Sequence, residues 1–242
     1  MKRTPLLVAA AVMVVVAVGI GIEVPTVASA AAISQEICDP NADFFLGEED
    51  YPEAARLHRE LLVKRPDDAL VHYHLGYAYG MLGDRAGELR EYREALALGL
   101  TNWDLFLNLG LAELDHGDLN AARDALQMAV LAGPGHPEAH FNLGLVYERQ
   151  GMLARAQQQI LASLVLDPSQ LDARNMLAVI AARRGDYADA AAQWRALIHD
   201  APDYQPAHAN LALLEKNSAP IAIVTPQAQR NVAFVFTTHP PR

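Results

Sequence analysis

The stretch PEAHFNLGLVYERQGMLARAQQQILASLVLDPSQ, residues 137–170, carries a pattern that returns along most of the chain. Moving 34 residues in either direction brings back the same residue types at the same phase. The clearest column holds leucine throughout, at Leu75, Leu109, Leu143, Leu177 and Leu211. No insertion breaks the phase between residues 66 and 217. Such a fixed period indicates like units stacked in a line, each covering the apolar face of its neighbour.

Further columns make the pattern specific. Small residues follow the leucine, at Gly76, Gly110, Gly144, Ala178 and Ala212. A second glycine column lies at Gly83, Gly117, Gly151 and Gly185, and proline closes most units at Pro66, Pro134, Pro168 and Pro202. Together these columns resemble the tetratricopeptide repeat (TPR) family from about residue 50 to residue 217. The resemblance implies an all-α fold, a right-handed superhelical solenoid of antiparallel helix pairs.

The columns divide the chain into four parts. Residues 1–30 are predicted to be a signal peptide or membrane anchor, and residues 31–49 a linker with a degenerate first helix. Residues 50–217 are the predicted repeat array, and residues 218–242 form a C-terminal tail. Within the array we expect a partial repeat, four full repeats and a half repeat, at residues 50–68, 69–102, 103–136, 137–170, 171–204 and 205–217.

The glycines inside the first helix of a repeat predict a close contact. Glycine there costs roughly 1 kcal/mol in helix propensity, and the cost recurs at one phase. The expected counterpart is a column of small residues in the second helices, at Ala54, Ala122, Ala156 and Ala190. Glu88 interrupts this column, which predicts looser packing in residues 69–102. Aspartates after the joint glycines, at Asp84, Asp118 and Asp186, are predicted to cap the second helices.

The first 30 residues match a targeting segment. A basic start precedes an apolar run over residues 6–22, and the small-x-small triplet at residues 28–30 fits a cleavage site. One interpretation is a signal peptide cut after Ala30 and a periplasmic or secreted protein. The alternative is an anchor in the inner membrane through residues 5–22, since a spanning helix needs at least about 17 apolar residues. Both interpretations place the array outside the cytoplasm.

Charge and cysteine content narrow the function further. The formal net charge is −10, and phosphate binding needs a basic surface, so no nucleic-acid partner is predicted. Cys38 is the single cysteine, so no internal disulfide can form. We interpret Cys38 as a partly buried packing residue. The alternative is an intermolecular disulfide in an oxidising compartment.

Chemical motifs do not support catalysis. The sequence lacks a Gly-rich phosphate loop, a G-x-S-x-G turn and an H-E-x-x-H pair, so it predicts neither an enzyme nor a cofactor. His72, His140 and His208 share a column that usually holds a bulky aromatic residue in the TPR family. We therefore predict that they fill a packing slot. No metal site is predicted, because the histidine spacings match no known ligand pattern.

The resemblance implies that one face of the first helices lines a concave groove. The predicted groove residues are Asn108, Asn142, Asn210, His74, Tyr73, Tyr77, Leu107, Leu111, Phe141 and Leu145. Asparagine offers a donor and an acceptor together, so it can pair with a peptide unit of any sequence. The asparagines resemble the ladder that holds an extended peptide in some TPR grooves. The alternative is that they bond within or between helices.

An acidic column marks the starts of successive first helices, at Asp104, Glu138 and Asp172. Carboxylates near a helix start gain about 0.3–1 kcal/mol, which explains the column without a ligand. The alternative is an acidic groove edge for basic partners.

The resulting hypothesis is a non-enzymatic TPR scaffold that binds a protein or extended peptide in its groove outside the cytoplasm. The alternative is a membrane-anchored assembly subunit of an envelope machine, such as a pilus, cytochrome-maturation, cell-wall or secretion system. For the tail, residues 218–242, one hypothesis is that it occupies the groove itself. No oligomeric state is predicted.

Overall fold

The computed structural model describes residues 37–216, and within them it contains eleven helices and no strand. They are α1 (Pro40–Gly47), α2 (Tyr51–Lys64), α3 (Ala69–Met81), α4 (Arg85–Ala97), α5 (Trp103–His116), α6 (Leu119–Ala132), α7 (Pro137–Arg149), α8 (Leu153–Leu166), α9 (Leu171–Arg184), α10 (Tyr187–Asp200) and α11 (Gln205–Lys216). The predicted all-α class is confirmed. The predictions for residues 1–30 and for the tail lie outside the described residues.

Each helix packs against the helix before it and the helix after it along the chain. The tightest partners are the two helices of a repeat, as in α3 with α4 and α5 with α6. The first helices α3, α5, α7 and α9 also contact one another in sequence order. This arrangement is a stack of helix pairs, in which apolar residues are buried along the whole length and not around one centre.

The helix ends follow from local sequence. Gly117 and Gly185 end α5 and α9 with φ of 92° and 89°, a left-handed conformation that glycine adopts without a steric penalty. Asp84 accepts a hydrogen bond from the Gly87 amide in the first turn of α4, as predicted. Asp118 likewise accepts from the Asn120 and Ala121 amides in the first turn of α6. Asp186 occupies the equivalent position before α10 but makes no such bond, so the predicted cap is wrong there.

The glycines inside the first helices do lie against a crossing helix, although their main neighbour differs from the prediction. A Cβ added at Gly110 would lie 2.6 Å from Leu126 Cγ, and one at Gly144 would lie 2.6 Å from Ile160 Cδ1. The small column contributes its backbone, since the Ala122 carbonyl oxygen lies 3.3 Å from the added atom at Gly110. Bulky residues of the second helix therefore fill the space above each glycine.

The repeat at residues 69–102 is not loosely packed around Glu88. The Glu88 side chain is buried, and its carboxylate lies over Gly80, where an added Cβ would come closer than van der Waals contact allows. A second glycine in α3 thus makes room for the acidic residue. The sequence prediction was wrong because it considered one column alone, whereas the fit depends on the residue facing it.

Candidate functional site

The ten predicted groove residues lie on four first helices. Tyr73, His74 and Tyr77 belong to α3, and equivalent residues belong to α5, α7 and α11. We call the surface formed by these ten residues the first-helix face. Because α3, α5 and α7 contact one another, the structure brings nine of the ten together, and Asn210 lies further along the array. All ten are buried, with exposed fractions of 6% or less.

Two of the asparagines join neighbouring first helices. Asn108 Nδ2 of α5 donates to Tyr73 Oη of α3 at 3.0 Å. Asn210 Nδ2 of α11 donates to Asn175 Oδ1 of α9 at 3.1 Å. These bonds match the alternative interpretation, in which the asparagines bond between helices. Peptide binding by the first-helix face stays a prediction.

Asn175 is a polar residue that the predicted groove set left out. It follows Tyr73, Leu107 and Phe141 in one column, so it extends the first-helix face onto α9. Its Oδ1 also accepts from the indole Nε1 of Trp194 at 2.8 Å. Both neighbours of Oδ1 are N–H donors, which fixes the orientation of the amide. The column itself is the signal that would have identified it.

The Nδ2 group of Asn175 is buried and makes no hydrogen bond of normal geometry within residues 37–216. The amide does act on the neighbouring Tyr204 hydroxyl. Burial and then Asp172 raise the pKa of Tyr204, whereas the Asn175 amide opposes the rise. Nδ2 therefore lies near the Tyr204 hydroxyl, and because it has two N–H groups it retains capacity to donate to another acceptor.

The acidic column behaves differently at each of its members. Asp172 accepts a hydrogen bond from the Tyr204 hydroxyl at 2.5 Å. Asp104 Oδ1 is buried and has no hydrogen-bond partner in the described part of the chain. Burial raises the pKa of Asp104 to about 6. Beside the first-helix face, Asp104 Oδ1 of α5 can therefore still accept a hydrogen bond, and Asn175 Nδ2 of α9 can still donate one.

The histidines of the aromatic column have a structural role. The Nε2 atoms of His72, His140 and His208 donate to the carbonyl oxygens of Pro66, Pro134 and Pro202 at 2.9, 3.2 and 2.7 Å. Each ring therefore ties a first helix to the loop before it. A flat ring with a polar edge explains why histidine replaces an apolar aromatic residue in this slot.

His74 is one of the predicted groove residues, but its Nδ1 atom lies in a cluster with Cys38, Asp43 and His58. Burial alone raises the pKa of Asp43, yet hydrogen bonds from His58 and His74 outweigh it and hold the pKa well below its usual range. Burial, and then the charge of Asp43, raise the pKa of the Cys38 thiol. No sequence pattern identifies Asp43 and His58, which lie outside the full repeats.

Among the residues that the structure describes, no helix is both long enough and apolar enough to cross a bilayer.

Comparisons with known proteins agree with this architecture. The family model described as tetratricopeptide repeat matches residues 41–99, 107–170, 153–206 and 175–215. The chain is similar to the crystal structure of YrrB, a TPR protein with an unusual peptide-binding site, at 26% identity and a TM-score of 0.65, covering 72% of this chain and 88% of YrrB.

Two more distant structures share the fold. MamA of Desulfovibrio magneticus is 22% identical with a TM-score of 0.62, covering 66% of this chain and 90% of MamA. A TPR protein of Parabacteroides merdae is 21% identical with a TM-score of 0.67, covering 73% of this chain and 70% of that protein. A comparison with curated protein sequences gives no match. The periodic columns, the stacked helix pairs and the family match over more than half of the chain lead to one conclusion: this chain belongs to the tetratricopeptide repeat family.

Proposed function

We propose that this protein is a non-enzymatic scaffold that binds a protein segment or an extended peptide along the first-helix face. The observation that carries the proposal is the unused polar capacity there. The face or its border holds the buried amide nitrogen Asn175 Nδ2, which has an N–H to spare beside Tyr204, and the buried acceptor Asp104 Oδ1, which has no hydrogen-bond partner among residues 37–216. Leaving such a group unpaired costs about 1–3 kcal/mol, so a ligand that pairs with it recovers that free energy.

A peptide suits this arrangement because its backbone offers the complementary groups. A peptide carbonyl can accept from Asn175 Nδ2, and a peptide N–H or a basic side chain can donate to Asp104. Apolar side chains such as Leu107, Leu111 and Phe141 supply contact area between these points. The similarity to YrrB, whose peptide-binding site is reported, supports the same class of ligand here.

The burial of the first-helix face has a consequence for binding. Since its residues are 6% exposed or less, a ligand needs a more open state than the one described. The apparent affinity is then reduced by the fraction of molecules in the open state. We therefore expect slow association in comparison with an open groove.

The test is peptide capture from a display library with three proteins. They are the wild type, the double variant Asp104→Ala/Asn175→Ala and the control Asn120→Ala, which makes an alanine substitution at an exposed position of α6. Two lost hydrogen bonds predict about tenfold weaker binding by the double variant, and the control should retain the wild-type affinity. Thermal unfolding of all three shows whether the fold is kept. Equal capture by all three folded proteins would refute the proposal.

We further infer from residues 1–30 that the array works outside the cytoplasm. The experiment is intact-mass measurement of the exported full chain from a bacterial host. A mass equal to that of a chain starting at Ala31 supports a cleaved signal peptide. An uncut chain in the membrane fraction supports an anchor. An uncut chain that stays in the cytoplasmic fraction contradicts both.

A further inference from the structure

Four potential metal ligands converge at the N-terminal end of the array. Cys38 precedes α1, Asp43 lies in α1, His58 in α2 and His74 in α3. One donor atom from each lies within 4.8 Å of the others. Asp43 Oδ1 lies at the centre, 3.2 Å from Cys38 Sγ, 3.1 Å from His58 Nε2 and 2.8 Å from His74 Nδ1. We infer that this cluster is a structural site for Zn²⁺ or a similar divalent transition metal.

The donor set selects the class of metal. One thiolate, one carboxylate and two neutral imidazoles are the ligands that Zn²⁺ prefers, in the number that closes a tetrahedral shell. Mg²⁺ and Ca²⁺ are bound through oxygen ligands, and three of the four donors here are sulfur or nitrogen. The ligands carry a combined charge of −2 when Cys38 is deprotonated, which balances a divalent cation. A neutral site avoids the cost of burying an unbalanced charge.

The spacing of the donors is close to that of a loaded site. Zn–N and Zn–O bonds of about 2.0–2.2 Å and a Zn–S bond of about 2.3 Å place tetrahedral donors about 3.3–3.6 Å apart. Cys38 Sγ and His74 Nδ1 are already 3.3 Å apart. The contacts to Asp43 Oδ1 are shorter by roughly 0.1–0.8 Å, and no two of the four donor atoms are more than 4.8 Å apart. A metal ion would therefore require Asp43 Oδ1 to move out from between the other three donors.

The hydrogen bond at the far side of His58 orients this ligand. His58 Nδ1 lies 2.7 Å from the Ala54 carbonyl oxygen, which can only accept, so Nδ1 carries a proton. In the neutral ring Nε2 carries a lone pair that can bind a metal ion, whereas in the protonated ring Nε2 donates to Asp43 Oδ1. Backbone carbonyls orient the ligating histidines of metalloproteins in the same way.

Access and closure agree with a structural site. Asp43, His58 and His74 are almost fully buried, and Cys38 is partly exposed, so the cluster can be reached from the Cys38 side. Because all four positions come from the protein, no coordination site is left for a substrate. The metal would join the segment before α1 to α2 and α3. Within the described residues, that segment lies at the first end of the stack.

The competing account is a hydrogen-bonded network that needs no metal. In that account the Cys38 S–H and a protonated His58 both donate to Asp43. The two accounts predict different results for metal binding. The metal site predicts that the folded chain binds one transition-metal ion with Cys38 as a ligand, and the hydrogen-bonded network predicts no such binding.

The test uses the full chain without a histidine tag, stripped with a chelator and kept reduced. Titration with Co²⁺ should reach one ion per chain, with the intense visible bands of tetrahedral cobalt and a thiolate charge-transfer band. Zn²⁺ should displace the cobalt and raise the melting temperature. Cys38→Ser should abolish the charge-transfer band and weaken Co²⁺ binding by at least about tenfold, while His140→Gln, in another repeat, should bind like the wild type.

His58→Gln provides a second variant at the buried side, with the same expected loss of affinity. Absence of saturable Co²⁺ binding by the folded wild type would overturn the inference. So would binding that is unchanged in Cys38→Ser. Neither outcome depends on whether the first-helix face binds peptides, so the two proposals are tested separately.

Discussion

Trp194 of α10 donates its indole N–H to Asn175 Oδ1 of α9 at 2.8 Å, and both side chains are fully buried. The bond fixes the amide of Asn175 with its oxygen toward Trp194 and its nitrogen toward Tyr204. It also joins the two helices of the last full repeat. One indole thus determines which hydrogen-bonding group remains available beside the first-helix face.

Trp194→Phe should destabilise the protein while keeping an aromatic ring in the core. The loss of one buried hydrogen bond contributes about 0.5–1.5 kcal/mol, and the smaller ring adds a cavity cost of similar size. We expect the free energy of unfolding, measured in urea, to fall by about 1–3 kcal/mol in total. Trp103→Phe, at a partly exposed tryptophan, is the matched control and should cost less. Equal costs at the two positions would show that the Asn175 bond adds nothing.

Gly110→Ala should also be destabilising, although helix propensity alone predicts the opposite. Alanine gains about 1 kcal/mol in propensity, but its Cβ would lie 2.6 Å from Leu126 Cγ. Overpacking of this kind costs about 1–3 kcal/mol or more. The thermal midpoint should therefore fall, and adding Leu126→Ala should make the glycine substitution less costly. A higher midpoint for Gly110→Ala alone would contradict the close packing of α5 on α6.

Asp104 predicts a pH dependence of stability. Burial raises its pKa to about 6 in the folded state, above its unfolded value of about 3.8. Between these two values the folded state binds more protons, so this group makes stability fall as pH rises from about 4 to about 6. Asp104→Asn removes this contribution. Between pH 4 and pH 7, the free energy of unfolding of the variant should rise by about 1–2 kcal/mol relative to that of the wild type. This figure is reduced from the full effect of the pKa shift because Asp104 is partly exposed to water.

The measurement for Asp104 is urea unfolding of both proteins at several pH values. Glu138→Gln, at the equivalent position of α7, is the control for changes that do not involve Asp104. If the difference between Asp104→Asn and wild type stays constant from pH 4 to pH 7, the burial of this carboxylate has no energetic effect.

Removing Arg183 should destabilise the protein, because a buried carboxylate would lose its charged partner. Arg183 of α9 donates to Glu148 of α7, which is almost fully buried. Burial raises the pKa of Glu148, and Arg183 opposes the rise. Arg183→Met should therefore lower the free energy of unfolding by about 1–3 kcal/mol. Adding Glu148→Gln should restore part of this loss, because the buried charge is then removed.

The matched pair for this double-mutant cycle is Arg195 with Glu215, which are both more than half exposed. Arg195→Met should cost less than about 1 kcal/mol, because water and salt screen an exposed pair. Equal losses for the two arginines in urea unfolding would contradict the role assigned to burial.

Deletion of residues 218–242 tests the hypothesis that the tail occupies the groove. If it does, the shortened chain should bind a captured peptide with a higher association rate, because no competing segment has to leave first. Stopped-flow fluorescence with a labelled peptide measures this rate. An unchanged rate would count against self-occupation, whereas the capture test with Asp104 and Asn175 would remain valid.

Local sequence determined much of the fold. The repeated leucine, glycine and proline columns specify where helices begin, end and cross, because these choices depend on residues within one unit and its neighbour. Their column position puts Asn108 and Asn142 on successive first helices, which are α5 and α7. It did not predict the bond from Asn108 to Tyr73, since the bond depends on the rotation of α5 against α3.

The sequence by itself determined that this chain is a stack of helix pairs. The reason is that the period of the hydrophobic residues does not depend on which individual side chains contact one another. Only the tertiary structure decided which polar groups are paired and which are left over. It also brought Cys38, Asp43, His58 and His74 together, although three of them lie before the full repeats and share no period. Proximity across helices arises from packing, and no spacing rule along one chain encodes it.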